Sequence, residues 1–149
     1  MFKHLLLPTD GSALSEAAVR QGVALAKALQ ARVTGVHVSP AFHVITYRTE
    51  MLEDTEDRFQ EDSERHAVDF LAQIQREAQA SGVACDTLAV VSDHPYEAII
   101  RTAEERGCDL IAMASHGRKG IKGLLLGSQT QKVLVHTQKP VLVFRQAGS

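Results

Sequence analysis

Residues 115–128 read SHGRKGIKGLLLGS, with four glycines, three cations and a closing Gly-Ser pair. They follow the apolar run DLIAMA at 109–114. A phosphate needs convergent backbone N–H groups, and side chains beyond Cβ obstruct that approach, so such a loop suits an anion cradle. A helix starting at its end adds N–H donors that lack intrahelical acceptors, and about half a positive charge. Gly127-Ser128 stands where such a helix should begin. The Ser128 hydroxyl suits both a helix cap and a phosphate oxygen, and Arg118, Lys119 and Lys122 offer neutralising charge. The same composition also describes a flexible surface loop before a capped helix, and spacing alone leaves both readings open.

Several familiar fingerprints are absent. No lysine follows Gly127, so there is no G-x-x-x-x-G-K-[ST] phosphate loop, and no G-x-G-x-x-G follows the first apolar run. There is no G-x-S-x-G turn of the serine hydrolases either. A second loop, PTDGS at 8–12, follows the first apolar run. In an open parallel sheet, ligands bind beyond the carboxyl ends of the strands where the strand order reverses. Both loops line one crevice if the strands preceding them are neighbours.

The elements that must position these loops alternate along the chain. Apolar β-like runs are expected at 2–7, 32–38, 83–91, 109–114 and 140–144. Helices are expected at 13–31 behind the N-cap Ser12, at about 51–81, at 95–106 with Pro95 near the start and Gly107 after it, and at 126–137. In the first helix, positions 14, 17/18, 24/25 and 28 read as the apolar face, with Gln21 as its one break. Residues 41–50 read as irregular. The order β-α-β-α-β-α-β-α-β, with near-continuous apolar strands, indicates an α/β fold with a parallel sheet covered on both faces.

The chain has 149 residues, a length that fits one domain spanning 1–149. With 16 basic and 18 acidic residues, no global field favours nucleic acid or an anionic membrane. Cys85 and Cys108 form no CxxC pair, which argues against a disulfide scaffold or zinc ribbon and fits a reducing cytosol. No run approaches ~20 apolar residues, and the N-terminus is too poor in them for a signal-peptide core. Eight carboxylates at 50–64 read as the solvated, dipole-favoured start of a helix rather than a metal cluster. His37 reads as a packed strand histidine. His4, His43, His66, His94 and His136 form no metal spacing.

With these residues in view, the chain resembles the universal stress protein family over nearly its whole length. The opening LLLPTDGSALSEAAVRQGVALAKAL, the second strand GVHV and the tail KVLVHTQKPVLVFR are typical of it. The most specific feature is the signature G-x-x-G, nine residues, G-[ST]. Here Gly117 is followed by residues 118–126 and then by Gly127-Ser128, with Ala114 in place of the first glycine. If position 114 is extended, Ala adds only a methyl to the wall. Two further departures are Gln129, where an apolar residue is usual, and Asp93, where glycine is usual.

The resemblance implies a Rossmann-like α/β fold, a five-stranded parallel sheet in the order 3-2-1-4-5. It also implies ATP as ligand, with Mg2+, a regulatory role in the stress response, and a cytoplasmic homodimer paired through the C-terminal strand Val141–Phe144. In ATP-binding members a first-loop Asp and a Val ending the second strand contact the nucleoside, which matches Asp10 and Val38. The signature positions that match the phosphate contacts are Gly117, Gly127 and Ser128. The candidate site is then Pro8, Thr9, Asp10, Val38, Ala114, His116, Gly117, Arg118, Gly127, Ser128 and Gln129, with no catalytic residue and no metal ligand assigned. Asp10 also suits an Asx-turn before the first helix. An interaction protein that dimerises without nucleotide and a slow ATPase are the alternatives. Efficient hydrolysis is disfavoured because, apart from Asp10, no acid is placed to act as a base.

Overall fold

The computed structural model describes residues 1–43, 49–117 and 126–145, with the backbone alone at 49–54. Its elements are β1 (His4–Pro8), α1 (Ala13–Leu29), β2 (Arg32–Ser39), α2 (Thr49–Ser81), β3 (Cys85–Val91), α3 (Pro95–Arg106), β4 (Leu110–Ala114), α4 (Ser128–His136) and β5 (Val141–Phe144). The strands form one parallel sheet in the order β3-β2-β1-β4-β5, as the alternation and the resemblance imply. β1 lies between β2 and β4, so the strand order reverses at its two flanks.

Period-two alternation sends successive strand residues to opposite layers. Leu5 and Leu7 of β1 and Leu110 and Ala112 of β4 pack with Val19 and Val23 of α1 and Leu71 and Ile74 of α2. Leu6, Val36, Ile111 and Met113 pack on the other face with Ile99 and Ala103 of α3 and Val133 of α4. Leu5, Leu6 and Leu7 are all fully buried, and each contributes roughly 1.5–3 kcal/mol by leaving water.

The buried face of α1 differs from the expected one. Ser15, Ala18, Val19, Gly22, Val23 and Ala26 face inward, whereas Gln21, Ala24 and Ala28 are exposed. The helix lies so close to β1 that a Cβ on Gly22 would meet the Leu7 side chain at 2.5 Å. Small residues rather than large apolar ones therefore mark its inner face. The other departures are boundaries: β1 starts at His4, β3 at Cys85 and α4 at Ser128. In α2 Ala67, Leu71, Ile74 and Ala78 are buried. Most described side chains at 55–66 are exposed, in keeping with a solvated helix start.

A polar network closes the sheet at the N-terminal ends of its strands. Asp109 accepts the amides of Lys3 at 2.8 Å and His4 at 3.0 Å. The Thr34 hydroxyl donates its single hydrogen to Asp86 Oδ1 at 2.6 Å, and Arg106 Nη1 donates to Asp86 Oδ2 at 2.9 Å. His4 Nε2 lies 2.6 Å from that same hydroxyl oxygen, so it must be the donor, which leaves Nδ1 as a bare lone pair. Nδ1 is buried with no partner among the described residues.

Burial, reinforced by Arg32, holds His4 below its ordinary value of 6.5 despite Asp86 and Asp109. The folded chain thus binds fewer protons at this site than the unfolded chain. The associated stability is complete above about pH 6.5 and is lost as pH falls through that value toward the folded pKa. His4→Gln is expected to flatten the loss of urea stability between pH 7.5 and 5. An unchanged pH slope in that variant would show that His4 is not the responsible group.

Candidate functional site

At the carboxyl end of the sheet the two glycine-containing loops meet, as their neighbouring strands require. Pro8 closes β1 opposite Val36, and the Thr9 amide continues the ladder to the Val36 carbonyl at 2.9 Å. Thr9 is buried, its hydroxyl 3.1 Å from Ser15 Oγ and accepting the Gly11 amide at 3.2 Å. His37 is buried as expected, with Nδ1 2.8 Å from the Thr9 carbonyl and its ring edge-on to Phe70 at 5.0 Å. A carbonyl only accepts, so Nδ1 carries the proton.

Asp10 Oδ1 accepts the Ser12 amide at 2.9 Å, the Asx-turn expected of it. Ser12 in turn caps α1 by accepting the Ser15 amide at 3.2 Å. The other oxygen of Asp10 faces Gly117, where any Cβ would run into it. Asp10 therefore both fixes its own loop and abuts the glycine of the second one. Gly11 has φ +78°, and a Cβ there would enter the Phe70 ring. Phe70 thus wedges this loop from the α2 side, a contact that the spacing along the sequence did not signal.

The second loop is closed on itself. The Gly127 amide donates to the Ser115 carbonyl at 2.6 Å, joining the residue before α4 to the one after β4. A Cβ on Gly127 would lie 3.2 Å from His116 Cα and 3.3 Å from the Ser115 oxygen, so close approach explains the glycine. Ala114 is within β4 and buried, the extended setting in which its methyl is tolerated. Its carbonyl accepts the Thr130 hydroxyl at 2.9 Å, a further tie between β4 and α4. His116 Nδ1 lies 3.0 Å from Ser115 Oγ, and its Nε2 is buried without a partner among the described residues. Arg118 lies outside the described residues.

Two expectations for the start of α4 need correction. Ser128 does not cap the helix: it is the first helical residue and exposed, and the N-cap is Gly127, which has no side chain to bond. The Gly127 amide is bonded to the Ser115 carbonyl. The Gln131 amide already bonds the Gly127 carbonyl at 3.0 Å. The N–H groups of Ser128, Gln129 and Thr130 precede it in the first turn and have no intrahelical acceptor. Gln129, expected on the rim, turns to α3, where its Oε1 accepts the Tyr96 amide at 3.0 Å. Val38 is half-buried beside Val90 and Tyr96 near the end of β2.

Asp93 has a role that its position in the sequence did not suggest. Its carboxylate accepts the Ala41 amide at 3.1 Å and pairs with His43 Nε2 at 2.8 Å, tying the segment after β2 to the turn after β3. The His43 hydrogen bond, with that of Ala41, holds Asp93 below the usual carboxylate range. A shallow groove of about 500 Å³ lies elsewhere, on the outer face of α3 and α4 around Tyr96, Arg101 and His136. It sits away from the strand ends and gathers both signs of charge. Burial pushes both cysteine thiols up to about 11, which leaves them poor nucleophiles.

The comparisons with known proteins agree with this geometry. The model of the universal stress protein family matches residues 1–145. The chain belongs to the universal stress protein family. Universal stress protein MJ0577 of Methanocaldococcus jannaschii is 29% identical over 160 residues, covering 100% of this chain and 98% of its own. YxiE of Bacillus subtilis is 30% identical over 149 residues, covering 97% of this chain and all of its own. The solved structure of MJ0577 superposes with a TM-score of 0.83 at 31% identity, over 100% of this chain and 99% of that one. More remote solved structures include a universal stress protein in complex with cAMP, at 23% identity, and one from Archaeoglobus fulgidus in complex with dAMP, at 18%. At those identities they bear on the fold alone.

Gly11→Ala is expected to destabilise this universal stress protein by at least about 2 kcal/mol, from the left-handed backbone and the clash with Phe70 together. Urea denaturation measures it, and a loss below about 0.5 kcal/mol would contradict the wedge.

Proposed function

We propose that this universal stress protein binds an adenine nucleotide, ATP with Mg2+, in the crevice between the 8–12 loop and the start of α4. Binding would serve regulation of the stress response rather than catalysis. The observation that carries this reading is the convergence of Gly117 and Gly127 beside the uncapped first turn of α4. A Cβ on Gly117 would run into Asp10, one on Gly127 would press on His116 Cα and the Ser115 oxygen, and the N-cap of α4 makes no side-chain hydrogen bond to the helix. The phosphates fall to the Gly117 backbone, the Ser128 hydroxyl and the first-turn N–H groups of α4 that lack intrahelical acceptors, with charge from Arg118. Asp10 and Val38 take the nucleoside, since a carboxylate accepts from a ribose hydroxyl or an adenine amino group. Pro8, Thr9 and Ala114 form the floor, and His116 lies in the loop beside Gly117, its buried Nε2 without a partner among the described residues. Mg2+ belongs on the phosphate oxygens, its usual partners at such sites.

Asp10 is the one acid at this crevice among the described residues, and one of its oxygens already holds the Ser12 amide. That supports slow turnover at most. The protein is proposed to be cytoplasmic, in line with its unpaired cysteines. No helix among the described residues is long and apolar enough to cross a membrane. It is further proposed to be a homodimer through Val141–Phe144. β5 is an edge strand with Leu142 37% exposed, and an apolar edge favours pairing with its twin.

The test is to denature purified protein, assay released adenine nucleotide, and titrate ATP into the emptied form by calorimetry. Bound nucleotide or ATP heat is expected. Gly127→Val should weaken binding at least about 100-fold, roughly 2.7 kcal/mol, while leaving the dimer intact. No nucleotide and no heat would sink the proposal in favour of an interaction protein, and undiminished binding by Gly127→Val would show the phosphate assignment to be wrong.

A further inference from the structure

We infer that Gln129 is a positioning residue that couples occupancy of the nucleotide crevice to the first turn of α3, so that the outer α3–α4 face reports whether nucleotide is bound. The inference rests on the nucleotide reading above. It starts from how α3 is capped. Its N-cap, His94, makes no side-chain hydrogen bond to the helix. Pro95 has no N–H, and the Glu97 and Ala98 amides both bond the His94 carbonyl, at 3.0 and 3.2 Å. The Tyr96 amide is the remaining donor of that turn, and its acceptor comes from another helix: Gln129 Oε1, at 3.0 Å.

Gln129 follows Ser128 in the first turn of α4, the turn that carries the free N–H groups. One turn of backbone therefore holds both the proposed phosphate donors and the cap of α3. An apolar residue, usual at this position by resemblance, has no acceptor to offer. A ligand that fixes the first turn of α4 also fixes the acceptor for Tyr96. An empty crevice leaves that acceptor on a turn whose first three amides have no intrahelical acceptor. The two-state element is the first turn of α3, capped or frayed, and an uncapped helix start frays readily.

The readout lies on the outer face. The Tyr96 ring packs against His136 at 5.3 Å, Lys132 Nζ lies 5.5 Å from the centre of that ring, and the Tyr96 hydroxyl donates to Glu97 at 3.1 Å. Movement of the Tyr96 backbone rearranges this exposed cluster of both charge signs.

Amide hydrogen exchange at Tyr96, followed by NMR on the full chain with and without saturating ATP, tests the coupling. ATP binding itself is measured in parallel by calorimetry. In the wild type, ATP is expected to slow exchange at Tyr96 at least about fivefold, the lower end of ordinary coupling between sites. Gln129→Val should exchange Tyr96 faster in the empty protein and lose the ATP response. Gln129→Glu keeps an acceptor for the amide, so it should restore protection in the empty protein. Its negative charge beside the phosphates should also weaken ATP binding about tenfold. If ATP binds and Tyr96 responds equally in wild type and Gln129→Val, the coupling is overturned while the nucleotide reading stands. If the wild type gives no ATP heat, the nucleotide reading falls and the coupling with it.

Discussion

The hydrogen bond from the Gly127 amide to the Ser115 carbonyl governs the geometry of the candidate site. It brings the residue before α4 back to the residue after β4. That closure crowds a Cβ at Gly127 to 3.2 Å from His116 Cα, commits the amide of Gly127, and leaves the first turn of α4 without a side-chain cap. The neighbouring strand β1 then delivers Asp10 against Gly117. Neither loop alone makes a crevice; the parallel pairing of β1 with β4 does.

This arrangement alters what each signature residue contributes. In the proposed binding mode Gly127 acts by lacking a side chain, and the donors are those of the turn after it. Ser128 is exposed, and among the described residues its hydroxyl bonds no helix amide. Asp10 has two distinct oxygens, one holding its own turn and the other facing the second loop. The departures from the family pattern also acquire partners: Gln129 caps α3 and Asp93 ties down the segment after β2.

The parallel sheet and its two layers were legible in the alternating apolar runs, whereas the strand order, and with it the meeting of the two loops, came from the family resemblance. The inner face of α1 was misread because the apolar pattern ignores Gly22 and Ser15, which are selected by distance from β1 rather than by hydrophobicity. The capping role assigned to Ser128 failed because cap and first helical residue differ by a single position. The His4–Thr34–Asp86 network joins residues 30 and 52 apart in the chain, and only tertiary pairing of β1, β2 and β3 brings them together. Gln129 and Asp93 were noticed as unusual, but their partners sit in other elements and leave no local signal.

The most direct measurement is a crystal structure of the chain with ATP. The triphosphate is expected within about 3 Å of the Gly117 and Ser128 amides, with the Gly127–Ser115 hydrogen bond retained. ATP bound on another face, or a loop that opens and breaks that hydrogen bond to admit it, would contradict the closed glycine cradle.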